Sequence, residues 1–215
     1  MQNSVLVFAP HNDDEILGVG GTIRKLSTEG YNVVVCEVTA GPSFKTLKAE
    51  AERAHAILGV EKSFFPNLPS CMLESYSKSD MNEQFRKVVE DIKPSIVFIP
   101  HYGDMHLDHR WVAEAAMVAV RPLHSPFIKK VLSYETLSET EWNTPSINNA
   151  FIPNVWIDIS NEIDKKIMAM ECYKSQLHAF PHPRSIEAIK ALAHYRGSTI
   201  GATSAEAFML VREIG

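Results

Sequence analysis

Strand-like and helix-like stretches alternate along the 215 residues, and that alternation predicts an α/β fold: a Rossmann-like, doubly wound, mostly parallel sheet with helices on both faces. Two further observations support it. Val5-Leu-Val-Phe-Ala9 and Ser95-Ile-Val-Phe-Ile-Pro100 carry no alternating polar residues, as in strands buried on both faces. Each run then breaks at a proline into histidines and carboxylates, and the carboxyl ends of strands are where open parallel sheets bind ligands.

The elements follow in order. After the first strand, Ile16, Leu17, Ile23 and Leu26 recur at roughly helical spacing up to Gly30, a stop signal. Residues 32–38 form a second strand, 47–58 an alanine-rich helix stopped by Gly59, and 63–65 a short third strand. Residues 67–79 have no period and read as a loop near a mouth. Residues 80–92 are helical, Pro94 ends that helix, and a further helix follows the fourth strand from about Arg110 to Val120. Beyond it, 129–134 and 154–159 read as strands, 160–173 and 185–197 as helices, and 207–214 as a closing strand. No repeat or linker divides the chain, so one domain is expected over 1-215, with 1-125 as a Rossmann-like core and 126-215 completing the sheet and the substrate rim. In the common doubly wound order the first and fourth strands flank the switch point, so the two polar clusters should meet in space.

Composition narrows the partners. With 45% hydrophobic residues the chain can bury a full core, and a net charge of −5 without any basic run speaks against nucleic acid. No apolar stretch approaches the ~20 residues of a membrane span. Nor does the N-terminal stretch have the features of a signal peptide, so a cytoplasmic protein without membrane association is expected. Cys36, Cys71 and Cys172 are widely spaced and form no Cys-x-x-Cys pair, in keeping with reduced thiols.

The first cluster is His11-Asn-Asp-Asp-Glu15. A strand running into a helix N-terminus usually offers amides to an anion; three carboxylates there would repel phosphate and attract a cation. Carboxylates alone could simply cap the helix, but a histidine has no capping role, and His11 with a carboxylate three residues on can chelate one ion. The second cluster, His101 to His109, holds three of the nine histidines, and at least two of His106, Asp108 and His109 can face one point. Two histidines and a carboxylate are a common hydrolytic zinc set with a position open for water, and the same set could hold Fe(II).

These residues carry a family resemblance. Ala9-Pro-His-Asn-Asp-Asp-Glu15 followed by Gly18, Gly20, Gly21 and Thr22, together with Gly103-Asp-x-His-x-Asp-His-Arg110, resembles the PIG-L/LmbE-like family of metal-dependent N-acetyl-sugar deacetylases. Glu50-Ala51, Arg53-Ala54, Leu58-Gly-Val60, Tyr173-x-Ser-Gln176, Arg196-Gly197 and Ala205-Glu-Ala-Phe208 extend the likeness over nearly the whole chain. Asn12 and Leu107 stand where proline is usual, which changes turn stiffness, and Ser70 lies where many relatives carry an aspartate near the sugar, which leaves the substrate open.

What the resemblance implies is a zinc-dependent N-deacetylase that holds one Zn2+ per chain, with Fe2+ or another divalent ion as alternatives, and removes acetyl from an N-acetylglucosamine-type sugar or glycoconjugate. His11, Asp14 and His109 correspond to the metal ligands. Asp13 corresponds to the general base, His106 to the group that stabilises or protonates the reacting amide as an imidazolium, and Asp108 to the residue orienting that histidine. Arg53 and Gln176 would line the rim as donors to sugar hydroxyls. The helix start agrees with one part of this: adjacent Asp13 and Asp14 diverge by about 100°, so both cannot address one ion equally, and Asp14 pairs with His11 at i, i+3. A non-catalytic sugar- or metabolite-binding protein and an Fe(II) oxygenase are the alternative readings, and whether the chain forms a homo-oligomer stays open.

Overall fold

The computed structural model describes residues 3–215. Its main sheet has seven strands in the order β4-β2-β1-β6-β7-β9-β8. The first four of these are β4 (Lys62–Phe64), β2 (Asn32–Glu37), β1 (Ser4–Ala9) and β6 (Ile96–Pro100), all parallel. This is the order expected of a doubly wound sheet, with β1 and β6 paired through Val5↔Ile96, Leu6↔Val97 and Val7↔Phe98. β7 (Lys130–Tyr134) continues in parallel, whereas β9 (Ala205–Glu213) and β8 (Val155–Asp158) close the edge antiparallel.

Apolar residues on both faces of β1 are explained by two cores. Val5 and Val7 pack with Ile16, Leu17, Val19 and Ile23 of α1 (Asp14–Thr28) and with Ala51, Ala54 and Leu58 of α2 (Phe44–Leu58). α5 (Ile163–Met170) and α6 (Ile186–Ser198) complete that layer. Leu6 and Phe8 face the other way, toward α3 (Lys78–Ile92) and α4 (Leu107–Ala119). The region without sequence period holds a feature that composition does not signal: β3 (Thr39–Ala40) pairs with β5 (Leu68–Pro69) as a small parallel sheet, and a 3-10 turn follows at Leu73–Ser75.

Close approach accounts for two glycines in α1. A Cβ on Gly18 would lie 2.2 Å from Tyr134 Cδ2, and one on Gly21 would lie 2.6 Å from Ile159 Cδ1. With Gly18 in place, Tyr134 crosses beneath the helix and donates to Phe8 O at 2.8 Å, at the end of β1.

The middle of α1 is clamped by an ion pair. Lys166 Nζ lies 2.6 Å from Glu206 Oε1 and donates to Leu17 O at 2.8 Å, while the Gly21 and Thr22 amides donate to the same carboxylate at 2.9 and 2.8 Å. Both side chains are buried, so removing one partner strands a charge in the interior. Lys166→Met is expected to cost about 3–5 kcal/mol in denaturant unfolding, and the double variant Lys166→Met/Glu206→Gln to recover part of it; a Lys166→Met protein as stable as the parent would show that the clamp is not a fastening.

Candidate metal centre and active site

Two turns at the carboxyl ends of β1 and β6 build the site. After β1, Pro10 O accepts from the Thr39 amide at 3.1 Å and from Thr39 Oγ1 at 2.8 Å, which ties the turn to the end of β2. His11 sits on this turn with its amide donating to Asp14 Oδ2 at 2.8 Å. Asp13 follows as the N-cap of α1 with φ of 116°, a left-handed backbone that costs an ordinary residue on the order of 1–3 kcal/mol. After β6, His106 caps α4, its Nδ1 accepting from the Asp108 amide at 3.1 Å. The helix therefore starts at Leu107, ahead of the expected Arg110; histidine is not a usual cap, so the residue types give little sign of it.

These turns bring His11, Asp14 and His109 together, each offering a donor atom within 4.8 Å of the others. Asp14 Oδ2 lies 3.4 Å from His11 Nδ1 and 3.2 Å from His109 Nε2. The edge of a tetrahedral zinc site between such ligands is about 3.3 Å, so little movement is needed to hold an ion. The partners of the far nitrogens point the same way. His109 Nδ1 meets Asp104 Oδ2 at 2.8 Å, and Asp104 Oδ1 in turn accepts from Thr140 Oγ1 at 2.6 Å. His11 Nε2 meets Asp108 Oδ2 at 3.0 Å. Each carboxylate places the proton on its own side of the ring and leaves the other nitrogen's lone pair for a cation. Buried Asp14 Oδ1 and His109 Nε2 have no hydrogen-bond partner among the described residues, and orphaned polar atoms in a buried site call for an ion or water.

Asp108 thus differs from expectation: its carboxylate orients His11 rather than His106, and it also accepts from the Cys71 amide at 2.7 Å. His106 meets Asp108 through the backbone alone. Because Nδ1 accepts that amide, the neutral ring carries its proton on Nε2. Burial and the nearby His11 charge hold the His106 pKa down to about 4.

The sequence reading missed Arg184. It reaches into the site from the loop before α6, with Nη1 3.2 Å from Asp13 Oδ2 and 3.2 Å from Gln176 Oε1, Nε 2.8 Å from Ser138 Oγ, and Nη2 3.4 Å from Glu139 Oε1. One signal was available: a cation immediately before the N-cap Ser185 opposes the helix dipole, which implies a partner elsewhere. Gln176 accordingly joins the site through Arg184. Arg53 is not brought together with the cluster: it lies exposed on α2, beside Cys172.

Burial and charge set the protonation of the centre. Burial raises Asp14, yet the charges of His109 and His11 overcome this and hold it well below the usual carboxylate range. Burial lifts Asp13 to about 8 against the pull of Arg184. Burial opposes the charge on His11, but bonds to Asp108 and Asp14 raise it to about 9, and His109 is raised likewise by Asp14 and Asp104.

Residues 6–120 match the family described as PIG-L, GlcNAc-PI de-N-acetylase, and the chain belongs to this PIG-L/LmbE-like family. It is 26% identical to the diacetylchitobiose deacetylase of Thermococcus kodakarensis over 96% of this chain and 82% of that one. Among solved structures, the conserved protein TT1542 of Thermus thermophilus superposes with a TM-score of 0.82 at 26% identity, covering 100% of this chain and 97% of the other. The 4-carboxy-2-hydroxymuconate hydratase GalB of Pseudomonas putida gives a TM-score of 0.79 at 18% identity over 99% and 98%, a likeness of fold alone.

The raised histidine pKa values carry a pH dependence for cation binding. A cation held by His11 and His109 would have to displace their protons, so affinity should fall as pH drops below about 9, where His11 gains its proton. Calorimetric titration with Zn2+ in buffers of different ionisation enthalpy is expected to report proton release; binding without it would exclude these imidazoles as ligands.

Proposed function

We propose that the protein is a divalent-metal-dependent deacetylase that hydrolyses the acetamido group of an N-acetylated amino sugar, with His11, Asp14 and His109 as metal ligands. The observation that carries this reading is the triangle of those three side chains, with Asp14 Oδ1 and His109 Nε2 left without a protein partner and a separate carboxylate one residue away. Family membership and the named activity of the Thermococcus relative support it. Zinc suits the two-imidazole, one-carboxylate set; when bound, it would lower the pKa of a coordinated water from ~16 toward ~7 and polarise the acetyl carbonyl.

The remaining steps belong to the chain's own side chains. Asp104 and Asp108 keep the ligand histidines in the correct tautomer. Arg184 occupies Asp13 Oδ2 and leaves Oδ1 without a protein partner, so that oxygen takes the proton of the attacking water. Burial raises the basicity of this carboxylate, and Asp13 can return the proton to the departing amine. His106 Nε2–H donates to the carbonyl oxygen as it gains charge; hydrogen bonds of this kind are worth ~10²–10³-fold in rate. Relatives of one fold can carry other chemistry, as GalB illustrates, and a hydratase would release no acetate.

Metal-loaded protein should release acetate from one or more compounds in a panel of N-acetylglucosamine, diacetylchitobiose and N-acetylglucosaminides. Asp13→Asn keeps the shape but removes the base, so kcat should drop by ~10² or more with metal content unchanged, whereas Asp14→Asn should lose the metal itself. Absence of acetate across the panel, or an Asp13→Asn protein that keeps its rate, would overturn the reading.

A further inference from the structure

A second polar cluster lies beneath the catalytic turn and is fully enclosed. Glu15, Glu37 and His55 each offer a donor atom within 4.8 Å of the others, and all three are buried. Unlike the His11 centre, this one has its hydrogen bonds made. Tyr173 Oη donates to Glu15 Oε1 at 2.7 Å and lies 3.2 Å from Glu37 Oε1; His55 Nε2 lies 3.2 Å from the same two oxygens, and His55 Nδ1 meets Ser63 Oγ at 2.7 Å. The remaining carboxylate oxygens accept from the turn itself: Glu15 Oε2 from the Asp13 amide at 3.1 Å, and Glu37 Oε2 from Asn12 Nδ2. Every carboxylate oxygen of the cluster is therefore engaged by the protein.

We propose that Glu15, Glu37, His55 and Tyr173 form a positioning assembly that holds the Asn12-Asp13 turn, and with it the catalytic carboxylate, in its strained conformation. The mechanism uses none of these four residues. Their carboxylates are costly to bury, and an apolar set of similar volume would serve stability equally well. What the carboxylates supply is two acceptors aimed at successive residues of a turn whose second member has φ of 116°. The four come from α1, β2, α2 and the segment after α5, so the turn is referenced to four separate pieces of the fold. Asn12 is the replaceable link. Its backbone amide makes no hydrogen bond with another backbone group and its φ is not positive, so proline there would remove no backbone bond and would restrain the turn without needing Glu37.

The inference on rate rests on the deacetylase reading, and the inference on conformation does not, so the test measures both. In the metal-loaded enzyme, Asn12→Ala is expected to lower kcat for acetate release by ~10- to 100-fold with KM and metal content unchanged, and Asn12→Pro to restore much of that loss. Tyr173→Phe should lower kcat in the same way, and combining it with Asn12→Ala should cost less than the two losses multiplied. Independently of turnover, hydrogen exchange at the Asp13 amide should be slow in the parent and in Asn12→Pro and faster in Asn12→Ala. An Asn12→Ala protein with the parent's exchange rate at that amide overturns the assembly. So does an Asn12→Pro protein no better than Asn12→Ala. If the parent releases no acetate but the exchange pattern holds, the catalytic reading fails while the positioning assembly stands.

Discussion

The backbone ladder between β1 and β6 is the contact on which the rest depends. Three paired residues on each strand set the spacing of the two turns that follow, and a displacement there would separate His11 and Asp14 from His109. Both strands are shielded on each face by apolar layers, so the register cannot slip by one residue without turning each apolar set onto the wrong core. Hydrophobic packing, which has no direction of its own, is thereby converted into fixed distances between polar atoms at the edge of the sheet.

At that edge the balance between stability and function changes. Like charges are gathered where apolar residues would be safer: Asp13, Asp14, Glu15, Asp104 and Asp108 are all buried. They are tolerated because almost every one has an opposing group, whether His11, His55, His109 or Arg184. Oxygens without a protein partner remain on Asp13, Asp14 and Asp108.

Much of this was legible in the sequence, and the limits are physical. Uniformly apolar runs ending at Pro10 and Pro100 identified the buried strands, because burial on both faces leaves no other pattern, and the common doubly wound order placed them side by side. The antiparallel return of β9 and β8 was not legible, since a strand's side-chain pattern carries no mark of its direction. Local spacing could bring His11 near Asp14 and suggest His109, but which histidine Asp108 would serve depends on the angle between two helix starts, and that is a tertiary quantity. Arg184 was hidden for the same reason, lying far from Asp13 along the chain. Glu37 could have been suspected: a carboxylate inside an otherwise apolar strand must have a buried partner, although the sequence alone does not say which.

The clamp between Lys166, Glu206 and α1 bears on how the molecule is made. The N-terminal stretch that matches the family, residues 6–120, contains His11, Asp14 and His109, yet the helix holding Asp14 is fastened by the side chain of Glu206. Chains emerge from the ribosome N-terminus first, so α1 is synthesised long before residue 206 exists. Until β9 inserts between β7 and β8, the Gly21 and Thr22 amides lack their carboxylate and Lys166 lacks its counter-charge. A nascent chain would therefore possess His11, Asp14 and His109 before it possessed the rigidity to arrange them, and the fixed geometry of the cluster would arrive with β9.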